Sequence, residues 1–294
     1  MTSIHDRLSR SLRVPAPEAC PRLLLIMSPC RCGSTALARA FASAGSRVYY
    51  QPLKTILRYG LVGETVRWAV PASGAHDHLV VKETFGPYLR EECELDPVGA
   101  LLDAGVPPER VTVVALLRDP LAVYASWRQW WPDATLDLLV AAFDNAGRRA
   151  AEASARGVAV RRCVLEGAAA DPEAFLRAVF AACGRPFGPE AVDWSATGGE
   201  TRLEWTATAD GMIPNASRSR IIMPRQPERF GAGGVQLVIH DALARAPSFQ
   251  VTPRPTAAIP PSVVSRLHAE GVFAWYETFR RESAAETTLA VVTE

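Results

Sequence analysis

Residues 22–35 read Arg22-Leu-Leu-Leu-Ile-Met-Ser-Pro-Cys-Arg-Cys-Gly-Ser-Thr35. The apolar run Leu23 to Met27, with no polar alternation, is what a strand covered on both faces of a parallel sheet requires. Ser28-Pro29 ends the run. Gly33-Ser34-Thr35 then opens a stretch to Ala44 in which Leu37, Ala38 and Phe41 recur at helical spacing. The order is strand, loop, helix.

Outward from this unit the same alternation continues. His78 to Glu83 (HLVVKE) predicts a second strand, Val98 to Ala104 a helix, and Val111 to Leu117 (VTVVALL) a third strand. Asp119-Pro120 is an N-cap and first-turn pair that starts a helix through at least Trp127. Residues Leu136 to Arg156 are Ala-rich and helical, and Val158 to Leu165 predicts a fourth strand. Asp171-Pro172 starts a helix with Phe175, Val179 and Cys183 on one face. Strands alternating with helices predict an α/β chain with a parallel sheet covered on both sides. Beyond Trp194 the pattern dissolves into Gly, Thr and Pro, with Pro247, Pro253, Pro255, Pro260 and Pro261, before a last amphipathic helix from about Ser262 to Arg281. The expected organisation is a polar lead-in, 1–21, followed by one domain, 22–294, whose irregular stretch of about 195–261 shapes the substrate site.

Composition narrows the chemistry. Of 294 residues 48% are hydrophobic and 21% charged, enough to build a core and to exclude global disorder. The formal charge is +1, which provides no bulk field to attract nucleic acid or an anionic membrane, so any anion must be held locally. Leu23 to Met27 is far short of the about 20 apolar residues of a membrane helix. The lead-in carries Arg7, Arg10 and Arg13 without the apolar core of a signal peptide, and the expectation is a cytoplasmic protein. Six scattered cysteines (Cys20, Cys30, Cys32, Cys93, Cys163, Cys183) read as reduced thiols rather than a disulfide framework.

Two segments carry the chemistry. In open parallel sheets ligands bind beyond the carboxyl ends of the strands, where helix N-termini present free N–H groups. Ser28 to Thr35 lies at such a point: Gly33 admits close backbone approach, Ser34 and Thr35 add hydroxyls, and Arg31 supplies a cation. A mononucleotide P-loop, G-x-x-x-x-G-K-[ST], would have glycine at Ser28 and lysine at Ser34, which disfavours a kinase or GTPase although Thr35 keeps the last position. The second segment, Leu116 to Ser126, places Arg118 at a strand end and Ser126 about two helical turns later, a pairing of guanidinium and hydroxyl suited to another anion.

Together these segments resemble the sulfotransferases that use 3′-phosphoadenosine 5′-phosphosulfate, in particular the bacterial ones. Pro29, Arg31, Gly33, Ser34 and Thr35 match the family's 5′-phosphosulfate loop, P-[KR]-S-G-[ST]-T, with Cys30 as one inserted residue. Arg118, Asp119, Pro120 and Ser126 match its 3′-phosphate motif. The resemblance covers roughly Leu23 to Ala182, and Trp275-Tyr276 looks like the closing helix of bacterial members. It implies a P-loop-like three-layer sandwich that moves a sulfuryl group to a hydroxyl, or an amine, of a small molecule without a metal, leaving 3′,5′-adenosine bisphosphate. Arg31, Cys32, Gly33, Ser34 and Thr35 are then expected to hold the 5′-phosphosulfate, and Arg118 with Ser126 the 3′-phosphate. Lys82, in Val80-Val-Lys-Glu-Thr-Phe85, aligns with a lysine that contacts the transferring group in some members. The implied partner is a small-molecule acceptor, with no nucleic acid and no membrane.

The departures concern the proton acceptor. The histidine of one branch is Thr84 here, and the glutamate of others is Gln51, which takes no proton at neutral pH. Glu83 heads the remaining candidates, followed by His76, His78 and Glu64. Ala36 replaces an adenine-stacking tryptophan, leaving Trp127, Trp130 and Trp131 to stack adenine, line the acceptor pocket or form a core cluster. Cys30 and Cys32 flank Arg31; the pair is a poor zinc signature, and its position at a helix start beside an arginine would favour a lowered thiol pKa. Arg218, Arg220 and Arg225 offer a further basic loop. Two other readings remain at this point: a P-loop nucleotide phosphotransferase, and a nucleotide-binding relative that has lost its activity.

Overall fold

Burial of the Leu23–Met27 run organises the computed structural model, which describes residues 4–61, 67–73, 78–195, 247–251 and 259–292. The lead-in forms helix α1 (Ile4–Ser11) and a two-residue strand, β1 (Leu12–Arg13). Next come β2 (Arg22–Pro29), α2 (Ser34–Ser43), β3 (Arg47–Tyr50) and α3 (Pro52–Leu61). The short strand β4 (Trp68–Ala69) pairs with β1, and β5 (His78–Phe85) leads into α4 (Arg90–Cys93) and α5 (Pro97–Asp103). Then β6 (Val111–Leu117) feeds α6 (Pro120–Trp130) and α7 (Leu136–Ala155), and β7 (Ala159–Val164) feeds α8 (Gly167–Ala170) and α9 (Pro172–Ala182). Helices α10 (Pro261–Ala269) and α11 (Val272–Val292) close the described chain.

The main sheet has five parallel strands in the order β3-β5-β2-β6-β7. β2 is its centre and is buried along its length apart from Arg22. α2 packs against β2, β3 and β5, while α7 spans β2, β5, β6 and β7 and α11 lies along β7. Helices therefore flank the sheet, consistent with three layers. Local chemistry starts many of these helices. Asp96, Asp119 and Asp171 each accept the amide three residues on, at 2.8, 2.8 and 2.9 Å, and each precedes a proline in the first helical turn.

Several elements differ from the sequence reading. β2 and β5 continue to Pro29 and Phe85, because their carboxyl ends stay buried beneath the following loops. The lead-in is not merely polar: Leu8 and Leu12 are buried in the core, and α1 packs on α3 and α5. β3 and α3 went unread because β3 has only four residues and α3 buries Lys54 and Arg58, which masks its apolar periodicity. The single closing helix is two, divided where Gly271 takes φ +73°. Most of the stretch 195–261, with Pro253 and Pro255, lies outside the described residues; next to it, Trp194 N–H donates to the Pro247 carbonyl at 2.7 Å. No described helix is long and apolar enough to cross a membrane.

α11 docks through Trp275, whose ring lies against Gly147 of α7, and a Cβ at that glycine would overlap the ring. Gly147→Ala should therefore lower stability by about 1–3 kcal/mol in urea unfolding; an unchanged midpoint would show that α11 can shift freely on α7.

Candidate anion-binding site

From β2 the chain moves through α2 toward β3 on one side of the sheet, whereas from β6 it moves through α6 and α7 toward β7 on the other. β2 and β6 are neighbours, so their carboxyl ends flank the crevice where connections diverge, the position at which open α/β sheets bind ligands. The 29–35 loop leaves one strand there and Arg118-Asp119 leaves the other.

The loop has a constrained backbone. Arg31 and Gly33 both lie in the left-handed region, at φ +78° and +88°. For arginine that conformation costs on the order of 1 kcal/mol and persists only when its surroundings enforce it. Paired positive-φ residues of this kind turn successive N–H groups toward a common centre. Gly33 is required for space as well, since a Cβ there would come within 2.6 Å of Leu165. No side chain caps α2, so its first-turn N–H groups face the loop. Beneath the loop the Ser28 hydroxyl is buried with no hydrogen-bond partner among the described residues.

The second segment contacts the first. Arg31 Nε donates to Ser126 Oγ at 2.9 Å, and the Arg31 guanidinium stands 5.4 Å from the Trp130 ring centre. Trp127 donates its indole N–H to the Cys30 carbonyl at 2.8 Å while its ring packs on Gly86. Its near-complete burial makes Trp127 a brace for the loop, and Trp131 meets it edge-on at 6.0 Å. Arg118 is nine-tenths buried at the head of α6, and its backbone N–H is directed to the Cys32 sulfur. The structure thus brings Arg31, Gly33, Ser34, Thr35, Arg118 and Ser126 to one rim.

Lys82 and Glu83 sit deeper. Lys82 is buried with its ammonium 4.0 Å from the Tyr50 ring centre. Glu83 has no exposed surface, and its two carboxylate oxygens accept the N–H groups of Leu53 at 2.7 Å and Lys54 at 3.2 Å, anchoring the start of α3. Burial pushes its pKa up to about 7, against the opposing pull of those amides, Lys54 and Lys82. Gln51, at φ +55°, donates its side-chain amide to Thr84, so the two positions where the resemblance anticipates a base hold a mutually bonded neutral pair. His78 lies at the opposite, amino end of β5. His76, Glu64 and the basic loop of Arg218, Arg220 and Arg225 lie outside the described residues.

A buried ionic cluster behind the loop was not legible beforehand. Lys54 Nζ lies 3.3 Å from one Glu92 oxygen, and Arg58 Nε donates to the other at 2.8 Å; all three side chains are buried. Lys54 also donates to the Gly86 carbonyl and, at 3.4 Å, to Thr84 Oγ1. The two cations hold the Glu92 carboxyl below its usual range despite its burial. The only advance signal was Lys54 and Arg58 four residues apart behind Pro52, which reads equally as a solvated helix face. The cysteines depart from expectation: burial pushes the Cys32 thiol well up, outweighing Arg118, and the Cys30 thiol donates to the Gly86 carbonyl at 3.1 Å. Among the described residues no group of three or more His, Cys, Asp or Glu side chains is arranged to hold a metal ion.

No family model matches the chain, and no curated protein matches it.

Two measurements check this electrostatic account. Glu92→Ala leaves two cations buried without a counter-charge and should cost about 3–5 kcal/mol in urea unfolding; a loss below about 1 kcal/mol would mean that water reaches the cluster. Glu83 keeps its proton to about pH 7 when folded but only to about 4.5 when unfolded, so folding takes up a proton within that window. Its contribution to stability therefore falls as pH rises from about 4.5 to 7. The stability difference between wild type and Glu83→Gln should shift against the wild type between pH 5 and pH 8, and a constant difference would refute the raised pKa.

Proposed function

We propose that this chain is a sulfotransferase that moves a sulfuryl group from 3′-phosphoadenosine 5′-phosphosulfate to a hydroxyl or amine of a small molecule, on a P-loop-like α/β scaffold. The observation that carries the reading is the Arg31–Ser126 hydrogen bond at 2.9 Å, which joins the two motif segments across 95 residues at the sheet's switch point. One nucleotide with anionic groups at both sugar ends needs two cationic holds within a single ligand's reach. The uncapped α2 start, the unpartnered Ser28 hydroxyl and the space preserved at Gly33 fit the approach of an anion to the loop.

In this reading Arg31 and the α2 amides bind the 5′ end, and Arg118 with Ser126 binds the 3′-phosphate. Bound there, the nucleotide would supply the activated sulfuryl group. The protein contributes position and fixed positive potential: Arg31 already lies in its strained conformation, and the α2 dipole requires no reorganisation. Arg31 and Ser126 bond to each other, and the 5′ end of the nucleotide would take over the Arg31 donor while the 3′-phosphate takes the Ser126 hydroxyl. Lys82 belongs to the transfer chemistry only if it leaves Tyr50 when ligands bind. We assign Glu83 to anchoring α3 rather than to proton removal, because both its oxygens already accept amide protons.

The Gln51–Thr84 pair favours one second reading, a nucleotide-binding protein without turnover. Transfer of radiolabelled sulfuryl donor to a panel of hydroxylated and amino acceptors separates the two: label transfer supports the enzyme, and intact nucleotide binding with no transfer supports the second reading.

Calorimetric titration should show binding of 3′,5′-adenosine bisphosphate in preference to ATP with Mg²⁺. Arg118→Ala should weaken the bisphosphate by about 2 kcal/mol through loss of a charge-assisted contact. Preference for ATP with Mg²⁺ would replace this proposal with a phosphotransferase.

A further inference from the structure

We infer that Glu166, immediately beyond β7, is a positioning residue for Arg118, and that Tyr276 of α11 completes its support. The inference rests on the 3′-phosphate role proposed for Arg118. Leu165 N–H donates to the Leu117 carbonyl at 2.9 Å, which continues the β6–β7 pairing one residue past the end of β7 and sets Glu166 beside the turn out of β6. One Glu166 oxygen accepts the Asp119 backbone N–H at 3.0 Å, and the other accepts the Tyr276 hydroxyl at 3.2 Å.

Asp119 is thereby held at every polar group. Its N–H goes to Glu166, its carboxylate accepts the Ala122 N–H at 2.8 Å, and its carbonyl accepts the Val123 N–H at 3.0 Å. On the other side, the Arg118 N–H is directed to the Cys32 sulfur. The Arg118 backbone is consequently fixed from both directions, and so is the axis along which α6 presents Ser126. A carboxylate suits this position because it accepts from two converging donors, whereas an amide would turn an NH₂ group toward one of them. Burial together with the charge of Glu166 raises the Tyr276 pKa, so its hydroxyl remains a hydrogen-bond donor.

α11 is tied to the same region elsewhere. Arg162 of β7 pairs with Glu282 at 2.7 Å, and the Trp275 indole N–H is 3.4 Å from Asp144. Through Glu166, Tyr276 links α11 to the Arg118 turn. In this arrangement the closing helix acts on one end of the nucleotide through a single carboxylate.

The test uses the full chain with Glu166→Ala, Glu166→Gln and Tyr276→Phe, titrated with 3′,5′-adenosine bisphosphate and with adenosine 5′-monophosphate, which lacks the 3′-phosphate. Glu166→Ala should weaken the bisphosphate about tenfold and leave the monophosphate within about twofold; Tyr276→Phe should lose about threefold, with Glu166→Gln between the two. Hydrogen exchange at the Asp119 amide of the ligand-free protein should quicken about tenfold in Glu166→Ala while the β2 amides stay unchanged. Equal losses for both nucleotides, or undiminished bisphosphate binding, overturn the positioning role. If the wild type takes up no bisphosphate, the proposed function fails; the Asp119 exchange then decides the inference alone, and an unaltered rate overturns it.

Discussion

The bond from the Trp127 indole to the Cys30 carbonyl ties the turn out of β2 to the helix that follows β6, across 97 residues of sequence. Much of the site depends on this brace. It holds the loop in which Arg31 takes a backbone form that arginine adopts only under constraint, and it lies one residue from Ser126, which receives the Arg31 guanidinium. Gly86, with no Cβ, allows the Trp127 ring to settle over the end of β5. One side chain on α6 thereby joins the turns that follow β2 and β5.

Behind this rim the protein buries charge at considerable cost and compensates it closely. Lys54 and Arg58 converge on Glu92, and Glu83 receives the opening amides of α3. Buried ion pairs seldom add net stability over apolar packing, but breaking one is severe, so such clusters favour a single arrangement of the elements they join. Here those elements are α3, α4 and the β5 end, which together back the loop. Lys54 and Arg58 against the one carboxylate of Glu92 leave one positive charge close to the start of α3.

Legibility followed burial pattern. The strands at 22 and 111 announced themselves because parallel strands covered on both faces are almost continuously apolar, those at 78 and 158 only through short apolar stretches interrupted by charged residues, and the helices after Asp119 and Asp171 through Asp-Pro starts. α3 did not, because a helix that buries a lysine and an arginine reads as one facing solvent. Tyr276 was marked only as part of the closing helix, and nothing local signalled its bond to Glu166, 110 residues away. Cys32 misled: a helix start beside an arginine implies an acidic thiol, yet burial reverses the shift.

The order of strands and helices, the glycine and hydroxyl-rich loop and the arginine at the end of the third predicted strand are written in local chemistry, and the sequence alone determined them. Which side chains meet was decided by the tertiary structure: Arg31 with Ser126, Glu83 with the head of α3, Lys54 and Arg58 with Glu92, Glu166 with Asp119 and Tyr276. The physical reason is that hydrophobic periodicity records only whether a position faces water. The pairing of charges and hydrogen bonds depends on strand order and on distances between residues that the sequence places far apart.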